Sequence, residues 1–137
     1  MVDTRFSVSV HIIVSLAYQP DSLTNSDALA GVLKTNPTFV RKLVSKLVDA
    51  GIVQSFRGKG GGIRLAKSPK EITLKDIYVA AMDEKALMST PNKSAYRACK
   101  VSCSMSEILC EVVDGVEHAT KTYLSKTYVS DLLKKIS

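Results

Sequence analysis

Between Asn36 and Gly51 the chain reads NPTFVRKLVSKLVDAG, and no other stretch restricts the fold as tightly. Asn36 can cap a helix through its side-chain oxygen, and Pro37 fits the first turn, where a missing N–H removes no bond. Gly51 supplies a C-terminal stop. Inside those bounds Val40, Leu43, Val44 and Leu47 fall at i, i+3, i+4 and i+7, an apolar stripe that has to be buried. Thr38, Arg41, Lys42 and Ser45 repeat that spacing on the opposite side, so four polar side chains leave the body together. The segment is a helix with one face for a core and one for an external partner.

Its neighbours supply the context. Phe6, Val10, Ile13, Val14 and Ala17 recur at helical spacing, which predicts a first helix from about Arg5 to Tyr18. Thr24 with Asp27 three residues on resembles a capping box, followed by a short helix carrying Ala28, Leu29, Val32 and Leu33. Two short helices joined by a tight turn, the second with a basic outer face, describe a helix-turn-helix whose second helix enters the DNA major groove. Directly afterwards the β-prone runs IVQSF and IRL flank RGKGGG, the pattern of a hairpin with a long glycine-rich tip, here read as a wing. After a break at Pro69, a fourth helix is expected from about Thr73 to Met82, with Leu74, Ile77, Tyr78 and Ala81 inward.

Residues 83–98 have no clean period and read as an irregular linker. From Met105 the pattern is regular again. Met105, Leu109, Val112, Val116, Ala119 and Tyr123 are spaced alternately by four and three, a heptad-like seam. A helix of ~20 residues spans roughly 30 Å, more than a small N-terminal body can cover, so a second copy of the chain is the economical partner. The sequence YVSDLLKKI then predicts a short last helix. The expected class is mainly α with a small β-hairpin wing, divided into a winged helix-turn-helix domain (1–82), a linker or sensor loop (83–103), and a long dimerisation helix with a C-terminal helix (104–137).

Charge narrows the partner. Residues 1–70 hold ten Lys or Arg against four Asp or Glu, a net of +6, whereas residues 71–137 hold nine of each. From Lys34 to Lys70 nine cations face one acid, Asp49. Such one-sidedness fits a polyanion, and double-stranded DNA above others. A nucleotide would need the Walker spacing or G-x-G-x-x-G opening a helix, and neither occurs: Lys59 is followed by Gly60, and Ile63 stands in place of the last fingerprint glycine. Nothing resembles an enzyme's nucleophile, metal set or cofactor fingerprint. A protein-interaction module that keeps the fold without DNA binding is the rival reading. The apolar run VSVHIIVSLAY is broken by Ser9, His11 and Ser15, so neither a signal peptide nor a membrane span is expected. Three cysteines without an export signal point to the reducing cytoplasm.

The pieces AGIV, RGKGGG-RLA, EITL-D and the terminal YVSDLL, in this order and spacing, resemble the Rrf-two (Rrf2) family of bacterial winged-helix regulators over nearly the whole chain. That resemblance implies a homodimer joined through the long helix, operator binding through the third helix and wing, and usually repression. Arg57 and Gly58 stand where the family's wing motif has its Arg and Gly, and Gly61 and Gly62 match its paired glycines. On this docking Arg41 is the expected base reader. Lys42, Lys46 and Lys59 are expected on phosphates, and Arg57 and Arg64 flank a tip reaching toward the minor groove.

Cys99, Cys103 and Cys110 sit where the family's sensing members place theirs. Three readings stay open. Iron–sulfur members use three cysteines there, but this chain's C-x3-C-x6-C departs from their more even spacing, Val113 stands where a histidine ligand would be expected, and His118 is a weak fourth candidate. Thiol oxidation is the second, with Arg97 and Lys100 placed to lower the Cys99 pKa. The third leaves the thiols idle, with no cofactor and a different, unknown effector.

Overall fold

The computed structural model describes residues 3–82 and 100–136, with the backbone alone for 102 and 103. Helix α1 (Arg5–Tyr18) opens beside a charged fork, in which the Arg5 guanidinium donates to both oxygens of Asp3, at 2.6 Å for the shortest contact. This contact holds the Asp3 carboxyl down at about 2. Ile12, Ile13, Leu16 and Ala17 face the core, while Phe6, Val8 and Val10 pack at its margin.

Helix α2 (Ser26–Leu33) departs from the expected start. Thr24 is not its cap, because its backbone is paired elsewhere: the Ile63 N–H donates to the Thr24 carbonyl at 2.7 Å. Capping passes to Asn25, whose side chain accepts from the Ala28 N–H at 2.7 Å. Asp27 is thereby released from any capping role. Val32, expected on the inner stripe, is exposed; Leu29 and Ala30 carry the burial.

Helix α3 (Pro37–Asp49) follows the sequence reading closely. Asn36 accepts from the Thr38 N–H at 2.7 Å, and Val40, Leu43, Val44 and Leu47 are buried. Its end is a Schellman arrangement: Gly51, at φ 77°, donates to Val48, and Ile52 donates to Leu47 at 3.0 Å. Strands β1 (Val53–Phe56) and β2 (Gly62–Leu65) pair antiparallel from Val53↔Leu65 to Phe56↔Gly62, with Val53 and Ile63 turned into the core.

Helix α4 (Leu74–Met82) carries the capping box that α2 lacks. The Asp76 N–H donates to Thr73 Oγ1 at 3.1 Å, and the Thr73 N–H donates back to Asp76 Oδ2 at 3.0 Å. Helix α5 (Lys100–Leu124) begins at Lys100, ahead of the point where its apolar period becomes regular. It packs on α4, Val113 is buried along its length, and Tyr78 Oη donates to Glu117 Oε2 at 2.8 Å across the contact between the two helices. The chain then turns back. The Leu74 N–H donates to Thr127 and the Val129 N–H to Ile72, so the segment before α6 (Val129–Leu133) lies alongside the entry to α4 as Thr73 bridges Tyr128. Tyr128 N–H closes on Asp131 at 2.9 Å, starting α6, which packs on α1.

The seam of α5 is broader than its sequence period indicates. Leu109 and Val116 lie half-buried at its inner edge, whereas Val101, Ile108, Val112 and Tyr123 are exposed large apolar residues on one side of the helix.

Candidate nucleic-acid interface

Burial of the Val40–Leu47 stripe forces the opposite face of α3 outward. Thr38, Arg41, Lys42 and Ser45 are all exposed on it. The Arg41 guanidinium is tethered twice, its Nη1 lying 3.2 Å from Asp27 Oδ1 and its Nη2 donating to Thr38 Oγ1 at 3.3 Å. Lys46 is turned aside. It is half-buried, and its Nζ donates to the Ala81 carbonyl at 3.4 Å, so it serves the C-terminal end of α4 rather than the open face.

The hairpin stands beside this face. Arg57, Gly58 and Lys59 form an exposed tip, with Gly58 at φ 90° accepting from the Gly61 N–H at 3.0 Å to close the turn. Gly61 and Gly62 answer to packing. A Cβ on Gly61 would lie 2.3 Å from the Phe56 carbonyl oxygen, and one on Gly62 would lie 2.6 Å from that of Thr24. Only a residue without Cβ lets β2 approach both backbones. Arg64 lies over the Phe56 ring at 4.9 Å with its Nε 3.5 Å from Gln54 Oε1, held along the outer face of the strands.

Between α3 and the hairpin runs an open cleft of about 490 Å³. Arg41 and Ser45 line one wall and Ser55 and Arg57 the other, with Ser26 at the end and Val44, Val48 and Ile63 beneath. Two guanidinium groups, that of Arg41 offset by the Asp27 carboxylate, and three hydroxyls around an apolar floor suit an edge-on partner rich in hydrogen-bond acceptors, such as nucleic acid. Sequence reasoning missed Ser26, Ser55 and the role of Asp27. Period-2 alternation along β1 is the signal that places Ser55 opposite Gln54 and Phe56.

The cysteines are only partly visible. Cys99 lies outside the described residues, as does Arg97, and Cys103 is described by its backbone alone. Cys110 is a free, half-buried thiol on α5. Cys103 and Cys110 are two helical turns apart, a rise of about 10.5 Å, beyond the roughly 7 Å Cα limit of a disulfide. Among the described residues no three His, Cys, Asp or Glu side chains converge to hold a metal ion, and no helix is long and apolar enough to cross a membrane.

A basic helix face flanked by a glycine-tipped hairpin, on a body closed by a long C-terminal helix, matches known proteins from end to end. Residues 2–135 match the Rrf2 family, described as an iron-dependent transcriptional regulator. The chain belongs to the Rrf2 family. It is 27% identical over 136 residues to the candidate HTH-type transcriptional regulator YwnA of Bacillus subtilis (strain 168), with 99% of each chain covered. The crystal structure of a candidate transcriptional regulator from Lactobacillus plantarum superposes with a TM-score of 0.80 at 26% identity, covering 97% of this chain and 89% of that one. A candidate DNA-binding protein of known structure gives 0.70 at 29% identity, covering 94% and 98%. These Rrf2 relatives are transcriptional regulators and not enzymes, and this chain is a transcriptional regulator of that family.

Proposed function

We propose that this Rrf2 protein is a cytoplasmic, sequence-specific DNA-binding repressor that acts as a homodimer on an inverted-repeat operator. The observation that carries the reading is the single exposed face of Thr38, Arg41, Lys42 and Ser45, set across a cleft from Arg57 and beside Lys59. On this reading α3 lies in the major groove. Arg41 takes guanine N7 and O6 as a bidentate pair, worth ~1–3 kcal/mol of discrimination. Lys42 and Lys59 neutralise phosphates, and the tip bearing Arg57 follows the neighbouring minor groove with Arg64 behind it. Lys46 is left out of the contact set because its ammonium is engaged at Ala81.

The homodimer reading is supported by the exposed apolar stripe of α5, where Val112 is 53% and Tyr123 73% accessible. A 25-residue helix spans about 37 Å, enough for two copies to cross and cover each other's stripes. The thiols are the proposed input. Since Cys103 and Cys110 are too far apart along α5 to pair, a disulfide would join one of them to Cys99 or to a partner chain. The described residues do not complete a ligand set for iron.

Selection of random duplexes by the full chain, reduced and oxidised in parallel, tests the proposal. The expected result is an enriched inverted repeat from reduced protein, weakened on oxidation. Arg41→Ala should relax the preference, whereas Lys59→Ala should weaken every duplex alike and lower the log–log salt slope by about one. Absence of enrichment in both states, with binding indifferent to salt, would replace DNA reading by a protein–protein role.

A further inference from the structure

We propose that Asp27 is a specificity-determining residue of the reading face, acting through its hold on Arg41. The inference rests on the reading that α3 meets DNA. Asp27 lies in the first turn of α2, with no capping duty, since Asn25 caps that helix. It is brought across to a surface on which nine cations between Lys34 and Lys70 face only Asp49. Its Oδ1 meets Arg41 Nη1, while Thr38, one turn back on α3, takes Nη2. The guanidinium is thus fixed from two sides and through two different nitrogens.

The pair contributes little to the fold. Both side chains are well exposed, 56% for Arg41 and 77% for Asp27, and such pairs add little to stability in water. Its effect lies in what each possible acceptor meets. A phosphate approaching Arg41 brings negative charge against the Asp27 carboxylate and is repelled. A guanine edge offers two acceptors and no net charge, so it takes the same guanidinium without that penalty. The carboxylate therefore selects a neutral acceptor over an anionic one, discrimination by a repulsive element. Thr38 then keeps the fork aimed along the face of α3.

The test compares the selected duplex with a scrambled duplex of equal length by fluorescence anisotropy over a salt series. Wild type, Asp27→Asn, Asp27→Glu, Arg41→Ala and the Arg41→Ala/Asp27→Asn double variant are measured as full chains. Asp27→Asn should tighten the scrambled duplex roughly 3- to 10-fold and steepen its log–log salt slope by about 0.9, because Arg41 becomes free to neutralise a phosphate. The ratio between selected and scrambled duplexes should fall by a similar factor, and Asp27→Glu, which keeps the charge, should restore it. In the Arg41→Ala background the effect of Asp27→Asn on the ratio should vanish. An unchanged ratio for Asp27→Asn, or a fall that persists without Arg41, overturns the proposal while leaving α3 as the reader. If Arg41→Ala itself leaves the ratio intact, the underlying reading of α3 fails and Asp27 falls with it.

Discussion

Gly62→Ala offers a sharp examination of how the wing is held. The new Cβ would lie 2.6 Å from the Thr24 carbonyl oxygen, 3.1 Å from Leu23 Cβ and 3.2 Å from the Thr24 nitrogen. Two of these three are backbone atoms, so no flexible side chain can yield. Relief requires β2 to back away from residue 24, which breaks the Ile63 N–H to Thr24 bond of 2.7 Å and the weaker return bond of 3.4 Å. Two backbone bonds at ~0.5–1.5 kcal/mol each, with partial exposure of Ile63, give a loss of about 2–4 kcal/mol. Urea unfolding followed by circular dichroism should show the midpoint falling with the slope unchanged. Gly60→Ala is the control: it meets no atom within 4 Å, so only its φ of 82° resists, at about 1 kcal/mol. If Gly62→Ala were no worse than Gly60→Ala, close approach would not explain the paired glycines.

Other outcomes follow from the same geometry. Val112→Glu places a charge at the centre of the exposed α5 stripe and, if the proposed homodimer forms through it, should leave the protein monomeric in sedimentation equilibrium without unfolding the body, since Val112 is exposed and lies outside the core cluster of the described residues. Ser9 is fully buried on α1 and its hydroxyl finds no hydrogen-bond partner among the described residues, so Ser9→Ala should raise stability by about 1 kcal/mol in the same urea assay. Because Arg5 depresses the Asp3 carboxyl to about 2 from its usual 3.8, the stability it contributes is present above pH 4 and fades between 4 and 2. Carbon-detected NMR titration of Asp3 should find its midpoint near 2, moving back up in Arg5→Ala.

How much of this was legible in the sequence depended on whether the deciding contact was local. Helix α3 was readable from end to end because Asn36, Pro37 and Gly51 act within their own turns and its stripe faces a single core. The start of α2 was misread because a local capping pattern, Thr24 with Asp27, competed with a backbone bridge from Thr24 to Ile63, far along the chain. The bridge took Thr24, and the cap moved one residue to Asn25. Lys46 likewise reads as one more cation on a basic helix until α4 arrives beside it with the Ala81 carbonyl. The apolar period of α5 was visible, but which residues it leaves uncovered depends on how α4 lies against it, with Tyr78 bonded to Glu117. That contact joins elements separated by an aperiodic stretch.

The pairing of Thr73 with Tyr128 gives α5 a mechanical character. Two helices, α4 and α6, start from opposite sides of one bridge, each closed by an aspartate three residues on. With Tyr78 gripping Glu117 further back, α5 is pinned near its middle and at its far end. It behaves as a strut rather than a trailing arm. Two copies clamped along such struts would hold their α3 faces at a set separation and angle, like the jaws of a caliper. The distance between operator half-sites would then be dictated by the protein, and inserting half a helical turn of DNA between them would leave one jaw closing on the wrong side of the duplex.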